Sequence, residues 1–170
     1  SAGPSQGARM HEAIMVMGVS GCGKSTIGAG LAQALSGVFL DGDDYHPAEN
    51  VAHMAAGQPL TDAMRWPWLD ALGAAVQAER QRAVTVFACS ALRKAYRDHL
   101  RAAIPGLQVA YLDAPKEVVT ARLAERAGHF MPATLLDSQF STLEVPANPD
   151  ATASIDQPVD RIIATLRAAL

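Results

Sequence analysis

Residues 13–26 read Ala13-Ile14-Met15-Val16-Met17-Gly18-Val19-Ser20-Gly21-Cys22-Gly23-Lys24-Ser25-Thr26, an apolar run that breaks into the pattern GxxxxGK(S/T). The glycines let the backbone curl so that successive N–H groups point inward, a geometry that suits phosphate oxygens. A helix starting near Lys24 aims the positive end of its dipole at the same anion. Lys24 is long enough to reach β- and γ-phosphates, and the Ser25 hydroxyl is a ligand for Mg²⁺. The pattern carries meaning only between a strand and a helix, and both are here. Ala13–Met17 precedes it, and Ile27, Leu31 and Leu35 recur at helical spacing behind it. Gly18 through Thr26 (Gly18, Val19, Ser20, Gly21, Cys22, Gly23, Lys24, Ser25 and Thr26) is therefore expected to hold ATP with Mg²⁺. Cys22 fills a variable loop position and is assigned no thiol chemistry.

Outward from this loop, short apolar runs alternate with helical periods. Val38–Leu40, Ala83–Ala88, Leu107–Leu112 and the weaker Ala151–Ile155 read as further strands. Between them Trp68, Leu72 and Val76, then Tyr96, Leu100 and Ile104, keep the four-residue spacing of a buried helix face. A last helix is expected from Pro158 at its first position, with Val159, Ile162, Ile163 and Leu166 on one stripe. The pattern is that of an α/β fold, a parallel sheet covered on both faces.

An acid at the end of a second core strand commonly holds Mg²⁺ beside such a loop. Ala83–Ala88 runs into Cys89-Ser90-Ala91 and supplies none. Asp41-Gly42-Asp43-Asp44, after the second strand, is the alternative. Strand ends in an open parallel sheet face the ligand crevice. Asp41 is then a candidate for the Mg²⁺ shell, together with Ser25, and Asp43 for the base that accepts a proton from an attacking hydroxyl. Asp44 is expected to cap the helix that begins near Pro47.

Transfer to a small anion also needs fixed cations. Arg65 is one candidate. Arg93, Arg97 and Arg101 share one helix face, of which Arg101 lies furthest from the crevice and reads as a solvated charge. Arg122 and Arg126 precede Gly128-His129-Phe130, a segment near 122–135 that is expected to close over ATP as a lid. Arg126 is the candidate for a catalytic cation at the transferring phosphate, alongside Lys24. His46 and His129 are candidates for hydrogen bonds to acceptor hydroxyls.

Bulk properties narrow the partners. The 14 Lys and Arg against 17 Asp and Glu leave a net charge of −3 and a pI near 5.9, the wrong sign for a nucleic-acid surface. No apolar run approaches the roughly 20 residues of a membrane span. Cys22 and Cys89 form no disulfide framework or metal pair, so a cytoplasmic location is expected. Residues 1–10 are expected to be a flexible leader or cloning remnant, and 11–170 a single domain.

The segments DGDDYHPAEN (41–50), GQPLTDAMRWPWL (57–69), CSALRKAYRDHLR (89–101) and GHFMPATLLDSQFSTLE (128–144), standing in this order behind the phosphate loop, resemble the gluconokinase family. The likeness runs from about Gly18 to Pro146. It implies a P-loop kinase fold of the nucleoside-monophosphate-kinase type, with a five-stranded parallel sheet in the order 2-3-1-4-5. It implies ATP-dependent phosphorylation of D-gluconate to 6-phospho-D-gluconate, and a homodimer. By position it also implies that Asp43, His46, Arg65, Ser90, Arg93, Arg97, His129 and Gln139 meet the acceptor, and that Arg122 and Arg126 stand on the lid side of ATP. Another small-molecule kinase of this fold, such as a shikimate-type enzyme, and a nucleotide-gated binding module without transfer are the alternatives.

Overall fold

Every residue of β1 (Ala13–Met17) is fully buried, and its side chains divide by parity between two separate cores. Ile14 and Val16 point into one, while Ala13, Met15 and Met17 point into the other. That is what a strand apolar at every position dictates: with side chains alternating in direction, both faces of the sheet have to be covered. The computed structural model describes residues 10–125 and 133–170. Residues 1–9, most of the expected leader, and 126–132, which include Arg126 and His129, lie outside the described residues.

The other strands are β2 (Val38–Asp41), β3 (Thr85–Ala88), β4 (Gln108–Asp113) and β5 (Ala151–Ser154). All pair in parallel in the order β2-β3-β1-β4-β5. One face is covered by α1 (Lys24–Ala34) and α7 (Val159–Ala169), whose Ile27, Leu31, Ile162 and Leu166 pack on Ile14, Val86, Ala110 and Leu112. Val119 from α5 (Lys116–Glu125) and Leu136 from α6 (Ala133–Thr142) extend this layer. The opposite face is covered by α3 (Asp62–Glu79) and α4 (Lys94–Ala103), through Trp68, Leu72, Val76, Tyr96 and Leu100. α2 (Ala48–Ala55) lies between β2 and α3 along the chain. Among the described residues, no helix is long and apolar enough to cross a membrane.

Two local readings are adjusted. Pro158 is the N-cap of α7 rather than its first residue, and Val159 faces solvent while Ile162 and Leu166 are buried. Asp44 does not cap α2, whose N-cap residue is Pro47 and which has no side-chain cap. α3 carries Pro67 inside it and is capped by Thr61, whose hydroxyl accepts from Met64 N–H.

Register brings the functional ends together. Ala88 of β3 is level with Val16 of β1 and with Asp41 of β2, so Gly18, Asp41 and Ser90 emerge at one edge of the sheet. There β1 divides the order, with β3 on one side and β4 on the other, and an open parallel sheet places ligands at such an edge. Gly42 turns the chain against the end of β3 so closely that a Cβ would stand 2.3 Å from the Ala88 carbonyl oxygen. Gly42→Ala is therefore expected to lower stability by about 1–3 kcal/mol, read as a reduced urea midpoint. An unchanged midpoint would show that the turn can move away.

Candidate active site

The phosphate loop leaves β1 at Gly18 and enters α1 at Gly23, whose φ of 91° only glycine adopts without strain. No side chain caps the first turn of α1, and no acid lies within it. The orphan N–H groups of that turn thus face the site as an anion cradle. Lys24 folds back so that its Nζ donates to Val19 O at 3.1 Å. From the far end of the chain, Gln139 on α6 accepts from Ser20 N–H through Oε1, at 3.1 Å.

Across from the loop, Asp41 ends β2 and joins two elements. Its Oδ2 accepts from the Ser25 hydroxyl at 2.9 Å, and its Oδ1 accepts from Asp43 N–H at 3.0 Å. That second bond caps the 3-10 turn Gly42–Tyr45 and turns Asp43 outward, where its side chain is 87% exposed. A hydroxyl and a carboxylate oxygen in contact are the hard donor set that Mg²⁺ prefers, so Ser25 and Asp41 fit that ion. Trp68 fixes the same turn from below, its indole N–H donating to Gly42 O at 2.8 Å.

A cavity of about 640 Å³ opens between these parts. Of the residues singled out from sequence, Ser20, Lys24, Asp43, His46, Arg65, Ser90 and Gln139 line it. His46 lies flat on Trp68, with ring centroids 4.0 Å apart, and its Nε2 is 3.8 Å from Asp43 Oδ1. Burial holds the His46 pKa below the ordinary histidine value, the Asp43 carboxylate opposes this, and Arg65 adds to it. Arg65 stacks over the Tyr96 ring at 4.8 Å, and its buried Nε has no hydrogen-bond partner among the described residues. Tyr96 is itself anchored by its hydroxyl, which donates to Asp62 at 2.6 Å. An arginine braced by an aromatic face, with an unpaired donor beside a cavity, is prepared for an anion. Burial pushes the Cys89 thiol up to about 12, so it is no nucleophile at neutral pH.

Other expected residues stand elsewhere. Arg93 is the exposed N-cap residue of α4 and is absent from the cavity wall. Arg97 is 3% exposed and turned away: it donates to Ala91 O at 2.8 Å and to Glu144 O at 2.9 Å. These bonds tie the chain beside Ser90 to the Glu144 segment, and Arg97 does not line the cavity. Ala91, next to Ser90, has a φ of 44°, a left-handed conformation that needs outside support in a residue other than glycine. Glu144 adds to that support, its N–H donating to Leu92 O at 2.7 Å and its carboxylate capping α4 at Lys94 N–H. Arg101 is paired with Asp98 at the surface, and Arg122 donates to Ile155 O beyond β5.

The geometry has named relatives. A family model described as an AAA domain matches residues 14–146. The thermoresistant gluconokinase of Escherichia coli (strain K12) is 42% identical over 159 residues, covering 91% of this chain and 91% of that protein. The chain belongs to the gluconokinase family. The thermosensitive gluconokinase of the same strain is 48% identical over 136 residues, 79% of this chain and 73% of its own length. A crystal structure of a gluconokinase from Sinorhizobium meliloti 1021 superposes with a TM-score of 0.85 at 42% identity, covering 95% of this chain and 92% of that one. This family kinship agrees with the strand order and with the P-loop at the end of β1.

Sequence reading passed over Asn50, Glu144 and the polar role of Trp68. Asn50 had one local signal, its i, i+4 spacing from His46 across the start of α2. Glu144 and Trp68 act on segments distant in sequence, with no local signal. Arg97→Met is expected to lower stability by about 2–4 kcal/mol, since it strands two carbonyls at a strained turn. The acceptor KM should stay near that of the parent in the folded fraction. A stable variant with a large acceptor KM would return Arg97 to the binding site.

Proposed function

We propose that this protein transfers the γ-phosphoryl group of ATP to the terminal hydroxyl of D-gluconate, giving 6-phospho-D-gluconate and ADP. The observation that carries the reading is the cavity with the phosphate loop on one wall and Asp43, His46 and Arg65 on the other. The amides of the loop and the start of α1 hold the phosphates, and Lys24 leaves Val19 O to follow the charge of the moving group. Arg65 takes the acceptor carboxylate, while His46, Ser90 and Gln139 meet hydroxyls. Holding both ends of the acceptor selects one hydroxyl over its neighbours.

Asp43 accepts the proton of that hydroxyl as its oxygen bonds to the γ-phosphorus and the bond to the ADP leaving oxygen breaks. Ser25 and Asp41 would hold Mg²⁺, which when bound neutralises charge on the phosphates. The resemblance further supports Arg122 and Arg126 on the ATP side of a closing segment, His129 at the acceptor, and a homodimer. These belong to the proposal.

Release of ADP should depend on gluconate and be near background with shikimate or with no acceptor. Asp43→Asn should retain ATP binding and lower kcat by roughly 10²–10⁴. Shikimate-dependent turnover would reassign the acceptor, and an unchanged kcat in Asp43→Asn would place the base elsewhere.

A further inference from the structure

We propose that Asn50 is a positioning residue: it holds His46 as the neutral tautomer with its proton on Nε2, so that the ring faces the acceptor as a donor and cannot act as the base. This rests on the acceptor site proposed above, but its first test does not.

Asn50 stands in the first turn of α2 and is 1% exposed. Its side-chain Nδ2 lies 2.9 Å from Met64 O and 3.2 Å from His46 Nδ1. A main-chain carbonyl oxygen only accepts, so the atom facing Met64 has to be the amide nitrogen, and the two ends of the amide are distinguished. That nitrogen carries two hydrogens. One goes to Met64 O and the other points at His46 Nδ1. His46 Nδ1 must then offer a lone pair, and the ring hydrogen belongs on Nε2.

An imidazolium would set N–H against N–H at this contact. The surroundings act in the same direction, because the ring is pressed on the Trp68 indole and its side chain is only 3% exposed. The charged groups facing it are Asp43 from the 3-10 turn, which favours protonation, and Arg65 from α3, which opposes it. Lys24 lines the same cavity from the loop. Asn50, from α2, is uncharged. Since Asn50 occupies the only accepting nitrogen of His46, proton abstraction on this wall falls to Asp43.

The ring ¹⁵N shifts of His46 in the whole protein, assigned against His46→Gln, report the tautomer without any substrate. Nδ1 should have the shift of an unprotonated nitrogen and Nε2 that of a protonated one, through neutral pH and below the ordinary histidine midpoint. In Asn50→Asp the new carboxylate accepts from an Nδ1–H. The ring should then hold both protons at neutral pH, and because its Nε2–H still faces the acceptor, the acceptor KM and the ATP KM should both stay close to the parent values. A protonated Nδ1 in the parent protein overturns the proposal, whatever the variant does. So does an Asn50→Asp protein whose His46 shifts match the parent. Loss of activity towards gluconate in the parent, with the expected tautomer present, would fault the substrate reading and leave the tautomer standing.

Discussion

Amide hydrogens that are to hold phosphate must be left unused by the protein, and the uncapped first turn of α1 meets that demand. The first turn of α1 has no side-chain cap and no acid, although an N-terminus without either is ordinarily a cost. Such a turn is stable only if its surroundings are rigid. Rigidity comes from β1, buried on both faces at the centre of the sheet, and from Ile27 and Leu31, which seat α1 in the core. The anion cradle is thus an exposed defect held by the most buried part of the molecule.

The cavity wall opposite depends on a second close contact. Gly42 packs against the Ala88 carbonyl, Trp68 holds Gly42 O, and Asp41 ties the turn to Ser25. One tryptophan therefore sets both the height of the turn bearing Asp43 and the plane of His46. A third tie runs through Arg97 and Glu144. They join the end of α6, which carries Gln139, to the loop that carries Ser90. Gln139 in turn touches Ser20. Of the side chains that link the two walls, Arg97 and Glu144 take no part in lining the cavity.

Much of this is written locally in the chain. β1, the loop and α1 are legible because each depends on neighbours in sequence: apolar run, glycines, four-residue spacing. All five strands were visible as short apolar runs, with ends displaced by a residue or two, and the acids after β2 were visible because β3 ends without one. The order of the strands came only with the family likeness, since composition and period do not rank neighbours in a sheet. Arg97 shows where local reading stops. Its helical spacing from Arg93 suggested a shared face towards the acceptor, yet Arg93 is the cap residue and Arg97 is buried against the Glu144 segment, 47 residues away. Asn50 was hidden for a similar reason: one of its two partners, Met64, belongs to another helix.

The most direct measurement is a crystal structure with a non-hydrolysable ATP analogue and gluconate bound together. The account predicts the β- and γ-phosphates over the amides of residues 21–26, and a gluconate hydroxyl within hydrogen-bond reach of Asp43 and in line with the γ-phosphorus. Phosphates bound away from that turn, or Asp43 facing away from every acceptor hydroxyl, would contradict it.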